Sequence, residues 1–184
     1  KSNEEAIYAN DTLSPFSCFF NNFKAICTKA FQKLEKNGSN KNWLIILEKH
    51  VLILANGAKK IPILLLEQIK RYDIFEFILK IIQQLISKMG QKLYNVILNF
   101  VRLILYLSKP NQQSKKFLYS KPNNYLCKIS DLLSQIDFED EIADLLLEIV
   151  IGKPIHLKSL PKFAEIDFQK ALPSFWSQLY LLYM

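Results

Sequence analysis

Apolar side chains recur along most of this chain at intervals of three and four residues, the spacing that places them on one face of an α-helix. In the stretch RYDIFEFILKIIQQLISKMG, residues 71–90, they are so frequent that more than half of the helical circumference is apolar. These residues are Ile74, Phe75, Phe77, Ile78, Ile81, Ile82, Leu85, Ile86 and Met89. A helix of this character needs other helices on several sides. The chain must therefore fold around at least one helix that is almost fully surrounded.

The composition favours helices over sheets. Half of the 184 residues are hydrophobic and 22% are charged, so the chain can bury a large core and is not globally disordered. Only four glycines are present, and leucine and isoleucine far outnumber valine. Sheets joined by tight turns usually carry more glycine and valine, so we predict an all-α fold with short connections.

Turn signals divide the chain into predicted helices. Pro15 opens the first one, and Asp73 and Asp137 are predicted N-caps. All four glycines are predicted helix ends, where a left-handed residue is favoured. They are Gly38, Gly57, Gly90 and Gly152. The predicted helices are 15–36, 41–55, 62–71, 73–89, 91–107, 112–119, 123–135, 137–151 and 173–184.

The order short–long–long occurs twice, in residues 62–107 and again in residues 112–151. Apolar positions of the two middle helices match at an interval of 51 residues, beginning with Phe75 and Leu126. Those of the third helices match at an interval of 45 residues, beginning with Ile97 and Ile142. Fixed spacing of helical units is the signature of a solenoid. We predict one domain with units 15–57, 62–108 and 111–152, followed in residues 153–184 by a linker and a further helix.

This pattern resembles armadillo and HEAT-type helical repeats over residues 15–151. The resemblance implies an irregular superhelical array in which the third helix of each unit, here 41–55, 91–107 and 137–151, lines a concave face. Armadillo units carry a glycine between their first two helices, and Asp73 and the turn 121–123 stand in its place here. A globular α-helical bundle is the alternative.

The segment LLLEIVIGKPIHLKSLPKFAEIDFQKALPSFW, residues 145–176, resembles the armadillo-like region upstream of BEACH domains in large trafficking scaffolds. Such regions are non-catalytic interaction platforms, so the resemblance implies a protein-binding role in intracellular trafficking. The chain begins at Lys1 and ends in the apolar SQLYLLYM. We therefore expect a piece of a longer protein.

No constellation of side chains indicates catalysis. His50 and His156 have no Cys, Asp or Glu at metal-ligand spacing, and Ser130 and Ser134 have no neighbouring histidine. The acidic residues between positions 137 and 144 fall near the start of a predicted helix, where negative charge is favoured. We expect a protein that is not an enzyme and that holds no cofactor or metal.

The three cysteines, Cys18, Cys27 and Cys127, form no disulfide framework. We expect buried free thiols in a reducing compartment, which places the protein in the cytoplasm. No apolar run reaches the ~18 residues of a membrane span, so no transmembrane segment is predicted.

Charge is distributed unevenly along the chain, whose formal net charge is +7. Residues 49–130 contain 14 Lys and Arg against three acids, and residues 131–148 contain seven acids and no base. A basic helical module that binds nucleic acid or an anionic membrane is therefore the alternative function. The nucleic-acid interpretation is weakened because most lysines stand singly and arginine occurs only as Arg71 and Arg102.

The leading interpretation is a non-catalytic scaffold that binds a protein or peptide partner. Between their core positions, the predicted concave-face helices present Trp43, Lys92, Asn95, Asn99, Arg102 and Tyr106. Asn95, Asn99 and Arg102 fall on one helical face, and asparagines and an arginine suit hydrogen bonds to an extended peptide backbone. These three residues form the predicted partner-binding row.

Overall fold

A computed structural model describes residues 15–38, 40–110, 112–119, 123–136 and 140–151. Within these ranges the chain forms helices and no strand, so the predicted all-α class is confirmed. The helices are α1 (Pro15–Lys36), α2 (Lys41–Lys60), α3 (Pro62–Arg71), α4 (Ile74–Met89), α5 (Tyr94–Ser108), α6 (Gln112–Tyr119), α7 (Tyr125–Leu133) and α8 (Asp140–Ile151). A 3₁₀ turn, Gly90–Leu93, joins α4 to α5. The predicted linker and final helix in residues 153–184 lie outside the described residues.

Helices that hold the same position in successive predicted units are neighbours in the structure. The middle helix α4 contacts both α1 and α7, and the third helix α5 contacts both α2 and α8. The short helix α3 contacts α2, α4 and α5. Every long helix in the centre of the chain is therefore in contact with several others.

The contacts between α2 and α5 run in a constant register. Asn95 of α5 reaches Glu48 of α2, which lies 47 positions earlier in the chain. Near the other end of the two helices, the Lys59 ammonium lies over the Tyr106 ring, again at an interval of 47. A constant interval means that the chain runs in the same direction in both helices, so α2 and α5 are parallel.

The same holds for α5 and α8. Arg102 pairs with Glu141, which follows it by 39 positions. One to two turns further along, Lys109 pairs with Glu148 at the same interval, with 2.8 Å between Nζ and Oε1. Helices α2, α5 and α8 are consequently parallel neighbours, and charged side chains mark their register.

Every turn of α4 contributes buried residues. Its buried residues are Ile74, Phe75, Ile78, Leu79, Ile81, Ile82, Leu85, Ile86 and Met89. The Phe75 ring lies 5.6 Å from that of Phe100 on α5 and 4.8 Å from that of Tyr125 on α7, centroid to centroid. Phe77 lies 6.3 Å from Phe23 of α1. Contacts with three helices explain why residues 71–90 are apolar around most of their circumference.

The matched apolar positions of the two predicted units are core positions. Ile78 and Ile82 are 2% and 0% exposed, and Ile129 and Leu133, which follow them by 51 residues, are each 0% exposed. The predicted core residues Phe100 and Ile104 on α5 are also 0% exposed. Burial fits the matching, and the repeat itself stays a prediction.

The predicted end of the second helix at Asn56-Gly57 is wrong. The helix α2 continues to Lys60 and ends at Ile61, whose backbone leaves the helical region (φ −134°, ψ 58°). Pro62 is the physical cause, because its ring disfavours helical geometry in the residue before it. Gly57 instead permits a close approach, since a Cβ there would lie 3.3 Å from Leu65 Cδ2.

The predicted side-chain cap at Asp73 is also absent. Asp73 occupies the N-cap position of α4 in a left-handed conformation (φ 49°) and its side chain makes no capping hydrogen bond. Asn124 precedes α7 in the same way (φ 39°), 51 residues after Asp73. Asp and Asn are the non-glycine residues that best tolerate this conformation. The predicted cap at Asp137 and helix end at Gly152 lie outside the described residues.

The predicted start of α5 is also wrong, and α7, predicted at 123–135, is shorter at both ends. The sequence predicts a helix from residue 91, whereas Gly90–Leu93 forms a 3₁₀ turn and α5 begins at Tyr94. Gly90 has φ 49° and ψ −123°, a combination open to glycine alone. This conformation turns the chain sharply between two buried helices.

Ile82→Ala is expected to reduce the free energy of unfolding by about 2–5 kcal/mol, because it removes methylene groups from a fully buried site. Urea denaturation followed by circular dichroism measures the change. Ile63→Ala is the matched control: Ile63 is 58% exposed, and its loss is expected to cost less than about 0.5 kcal/mol. Equal midpoints for the two variants would remove α4 from the core.

Gly90→Ala is expected to cost about 1–3 kcal/mol, because the backbone conformation at Gly90 is strained for any residue with a Cβ. No heavy atom lies within 4 Å of the added Cβ, so crowding contributes nothing. Thermal unfolding measures the loss. Gly38→Ala is the control, since its Cβ would meet its nearest neighbour at 3.7 Å and should change little. A neutral Gly90→Ala would show that the turn has another geometry.

Candidate functional site

The predicted partner-binding row lies on α5, where it faces both neighbouring helices. Asn95, Asn99 and Arg102 are one turn apart from one another along the helix. Asn95 Nδ2 donates to Glu48 Oε2 of α2 at 3.4 Å. Arg102 pairs through Nη2 with Glu141 of α8. The row therefore spans the two seams of the surface formed by α2, α5 and α8, which we call the third-helix face.

The three residues of the row differ in exposure. Asn99 is only 4% exposed, and its Oδ1 accepts a hydrogen bond from Arg102 Nη1 at 3.2 Å. Asn99 thus orients the guanidinium and offers little surface itself. Asn95 is exposed and Arg102 is half-buried, so these two carry the accessible polar groups of the row.

The other residues predicted beside the row have different neighbours from one another. Tyr106 extends it by one turn, and its ring lies below two ammonium groups, Lys59 Nζ at 5.9 Å and Lys109 Nζ at 5.7 Å. Trp43 is oriented towards α1 instead, with Lys29 Nζ 5.7 Å from its ring. Lys92 belongs to the 3₁₀ turn before α5. The polar stripe on α5 therefore consists of Asn95, Asn99, Arg102 and Tyr106.

Sequence reasoning missed the carboxylates that complete this face. Glu48 accepts a hydrogen bond from Asn95. Glu141 forms an ion pair with Arg102, and Glu148 forms one with Lys109. The signal was present in the charge distribution, since a basic segment is followed by the acidic residues 131–148. Two of the resulting ion pairs join α5 to α8. Part of the basic excess is consequently neutralised within the fold.

The third-helix face offers hydrogen-bond donors and acceptors without a reactive centre. Its Arg102–Glu141 pair is accessible to water: the two side chains are 32% and 48% exposed. Exposed pairs of this kind are held weakly.

Residues considered for catalysis are occupied by structural contacts. His50 Nδ1 lies 2.7 Å from the Ile46 carbonyl oxygen, the distance of a hydrogen bond within α2. Ser134 Oγ donates to the Asp131 carbonyl at 2.8 Å, and Ser130 is buried. In the part of the chain that the structure describes, no three His, Cys, Asp or Glu residues converge to hold a metal ion. His156 lies outside the described residues.

The cysteines are free, and only one matches the expectation of a buried thiol. Cys27 is fully buried, and burial raises the pKa of its thiol to about 12. The thiolate is the reactive form, so Cys27 is inert at neutral pH. Cys18 is exposed and Cys127 is intermediate. The expectation of burial is wrong for Cys18, which lies on the outer side of α1.

Comparison with known proteins assigns no relative: no protein family, no curated protein and no solved structure matches this chain. Among the helices that the structure describes, none combines the length and apolar character required to cross a bilayer. Function has to be argued from the residues and their geometry.

Arg102 and Glu141 are expected to couple by about 0.2–1 kcal/mol in a double-mutant cycle, because both side chains are partly exposed. The cycle compares Arg102→Ala, Glu141→Ala and the double variant by urea denaturation. Added salt should reduce the coupling further, since it screens exposed charges. A coupling of about 3 kcal/mol or more, as in buried pairs, would contradict an exchangeable contact.

Proposed function

We propose that this chain is a non-catalytic scaffold of irregular armadillo/HEAT-like repeats that binds a protein partner on its third-helix face. The observation that carries the proposal is the parallel arrangement of α2, α5 and α8, with constant intervals of 47 and 39 residues between contacting side chains. Helices of like place then line one surface, as the resemblance to helical repeats implies.

A second observation supports the repeat over the globular bundle. Asp73 and Asn124 adopt the same left-handed conformation directly before α4 and α7. They stand 51 residues apart, which is also the interval at which the apolar residues of the two middle helices match. Equivalent turns in equivalent places fit two copies of one unit, and a bundle has no need of them.

The third-helix face suits an extended peptide. Asn95, Arg102 and Tyr106 lie along α5 between carboxylates on either side. Amide and guanidinium groups hydrogen-bond to a peptide backbone, whereas apolar neighbours exclude water from the contact. Because Arg102 already pairs with Glu141, the face has a mixed charge and favours a protein over nucleic acid.

Cellular context rests on the sequence alone. The resemblance of residues 145–176 to the region upstream of BEACH domains supports a place among trafficking scaffolds in the cytoplasm. Most of that segment lies outside the described residues. The proposal for the third-helix face does not depend on it.

Selection of linear peptides from a random display library is expected to yield binders whose affinity depends on the row. The variant Asn95→Ala with Arg102→Ala should weaken the selected peptides about tenfold or more, equivalent to one charge-assisted hydrogen bond. Fluorescence anisotropy measures the dissociation constants.

The matched control is Lys80→Ala, because Lys80 is an exposed cation on α4, which is not one of the three helices of this face. It should leave the affinities unchanged. Peptides that bind the folded double variant as tightly as the original chain would place the interface elsewhere. Binders obtained only among nucleic acids in a parallel selection would overturn the protein-partner proposal.

A further inference from the structure

The most exposed large apolar side chains lie at the corner where α2 passes into α3. Ile53, Ile61, Ile63 and Leu64 are 50%, 44%, 58% and 41% exposed, higher than any other large hydrophobic residue that the structure describes. Scattered single aliphatic residues are ordinary on a protein surface, whereas a group of them marks an interaction site.

The four residues lie close together along the chain, and we call them the apolar strip. Pro62 starts α3 directly after Ile61, so Ile61, Ile63 and Leu64 follow one another within about one turn. Ile53 lies about two turns before Lys60 and thus on the same face of α2. The strip therefore runs from the last turns of α2 onto the first turn of α3.

The fold makes no use of these exposed side chains. The inner face of α3 is formed by Leu65, Leu66 and Ile69, which are 5%, 3% and 0% exposed. Those residues supply the contacts of α3 with α2, α4 and α5. Ile63 and Leu64 do not belong to this inner face, yet both are aliphatic.

Basic residues end both of the helices that carry the apolar strip. Lys59 and Lys60 end α2, and Lys70 and Arg71 end α3. Glu67 is the one acid between positions 59 and 71, and its carboxylate pairs with Lys70 at 2.7 Å. The strip thus lies in a region of net positive charge.

We propose that this corner, Ile53, Lys59, Lys60, Ile61, Ile63 and Leu64, docks on the surface of an anionic lipid bilayer. The aliphatic side chains enter the boundary between headgroups and acyl chains, while the lysines contact lipid phosphates and carboxylates. The long stems of lysine allow the ammonium groups to stay in the headgroup layer as the isoleucines insert.

The combination of chemistries selects a membrane over other acidic partners. Affinity for nucleic acid comes chiefly from contacts of basic side chains with phosphates, and a group of protruding branched aliphatic side chains contributes nothing to those contacts. A bilayer offers negative charge above an apolar layer, which is the arrangement of this corner. The inference does not rest on the proposed peptide site, and the two surfaces meet at Lys59, which lies over the Tyr106 ring.

Co-sedimentation of the full chain with vesicles tests the proposal. Binding is expected to vesicles of phosphatidylcholine with phosphatidylserine and not to phosphatidylcholine alone, and it should fall as salt is raised. Lys60→Glu should lower the partition coefficient at least about fivefold, since each basic residue near an anionic surface contributes that factor. Ile63→Ser with Leu64→Ser should lower it about tenfold or more.

Two matched controls separate the corner from general effects. Lys80→Glu makes the same charge change on α4, and Ile26→Ser removes an aliphatic residue that is 38% exposed on α1. Both should bind vesicles as the original chain does. Circular dichroism verifies that each variant is folded.

Several outcomes would overturn the inference. Equal loss of binding in Lys80→Glu and Lys60→Glu would reduce the effect to net charge. Binding of an RNA oligonucleotide that depends on Lys60 and not on Ile63, without vesicle binding, would assign the corner to nucleic acid. A dimer in size-exclusion chromatography that Ile63→Ser with Leu64→Ser dissociates would assign it to a second copy of the chain.

Discussion

The structure depends on the burial of one helix from several directions. The apolar surface of α4 is too wide for a single partner, and it is covered by α1, α5 and α7 together. Aromatic side chains make the central contacts, with Phe75 between Phe100 and Tyr125 and Phe77 against Phe23. Burial of this surface fixes which helices are neighbours. The positions of α2, α5 and α8, and with them the third-helix face, follow from that arrangement.

Local signals in the sequence were sufficient for most helices and failed where tertiary contacts decide. The limits predicted for α1, α3 and α6 agree with the structure, because proline or a clear change of period marks them. The predicted end of α2 at Gly57 is wrong because this glycine does not terminate the helix. Its lack of a side chain serves the approach of Leu65 on the next helix, which no local pattern reveals.

The candidate site was predictable in part for a similar reason. Helical spacing alone places Asn95, Asn99 and Arg102 in one row. The partners Glu48 and Glu141 are 47 and 39 residues away from the residues they contact, so they depend on how helices stack. The difference between half-buried Arg102 and buried Asn99 depends on the same stacking. Sequence spacing identifies a row, and tertiary register determines which members a ligand meets.

The parallel direction of α2, α5 and α8 has an electrostatic consequence for the whole face. Helix macrodipoles cancel between antiparallel neighbours, whereas these three add, so one edge carries partial positive charge and the opposite edge partial negative charge. Lys59, Lys60 and Lys109 lie at or just beyond the carboxyl ends of α2 and α5, where cations offset the negative edge. Glu141 lies in the first turn of α8, where a carboxylate offsets the positive end of that helix. Charged side chains thus stand where they stabilise the aligned helices of this face.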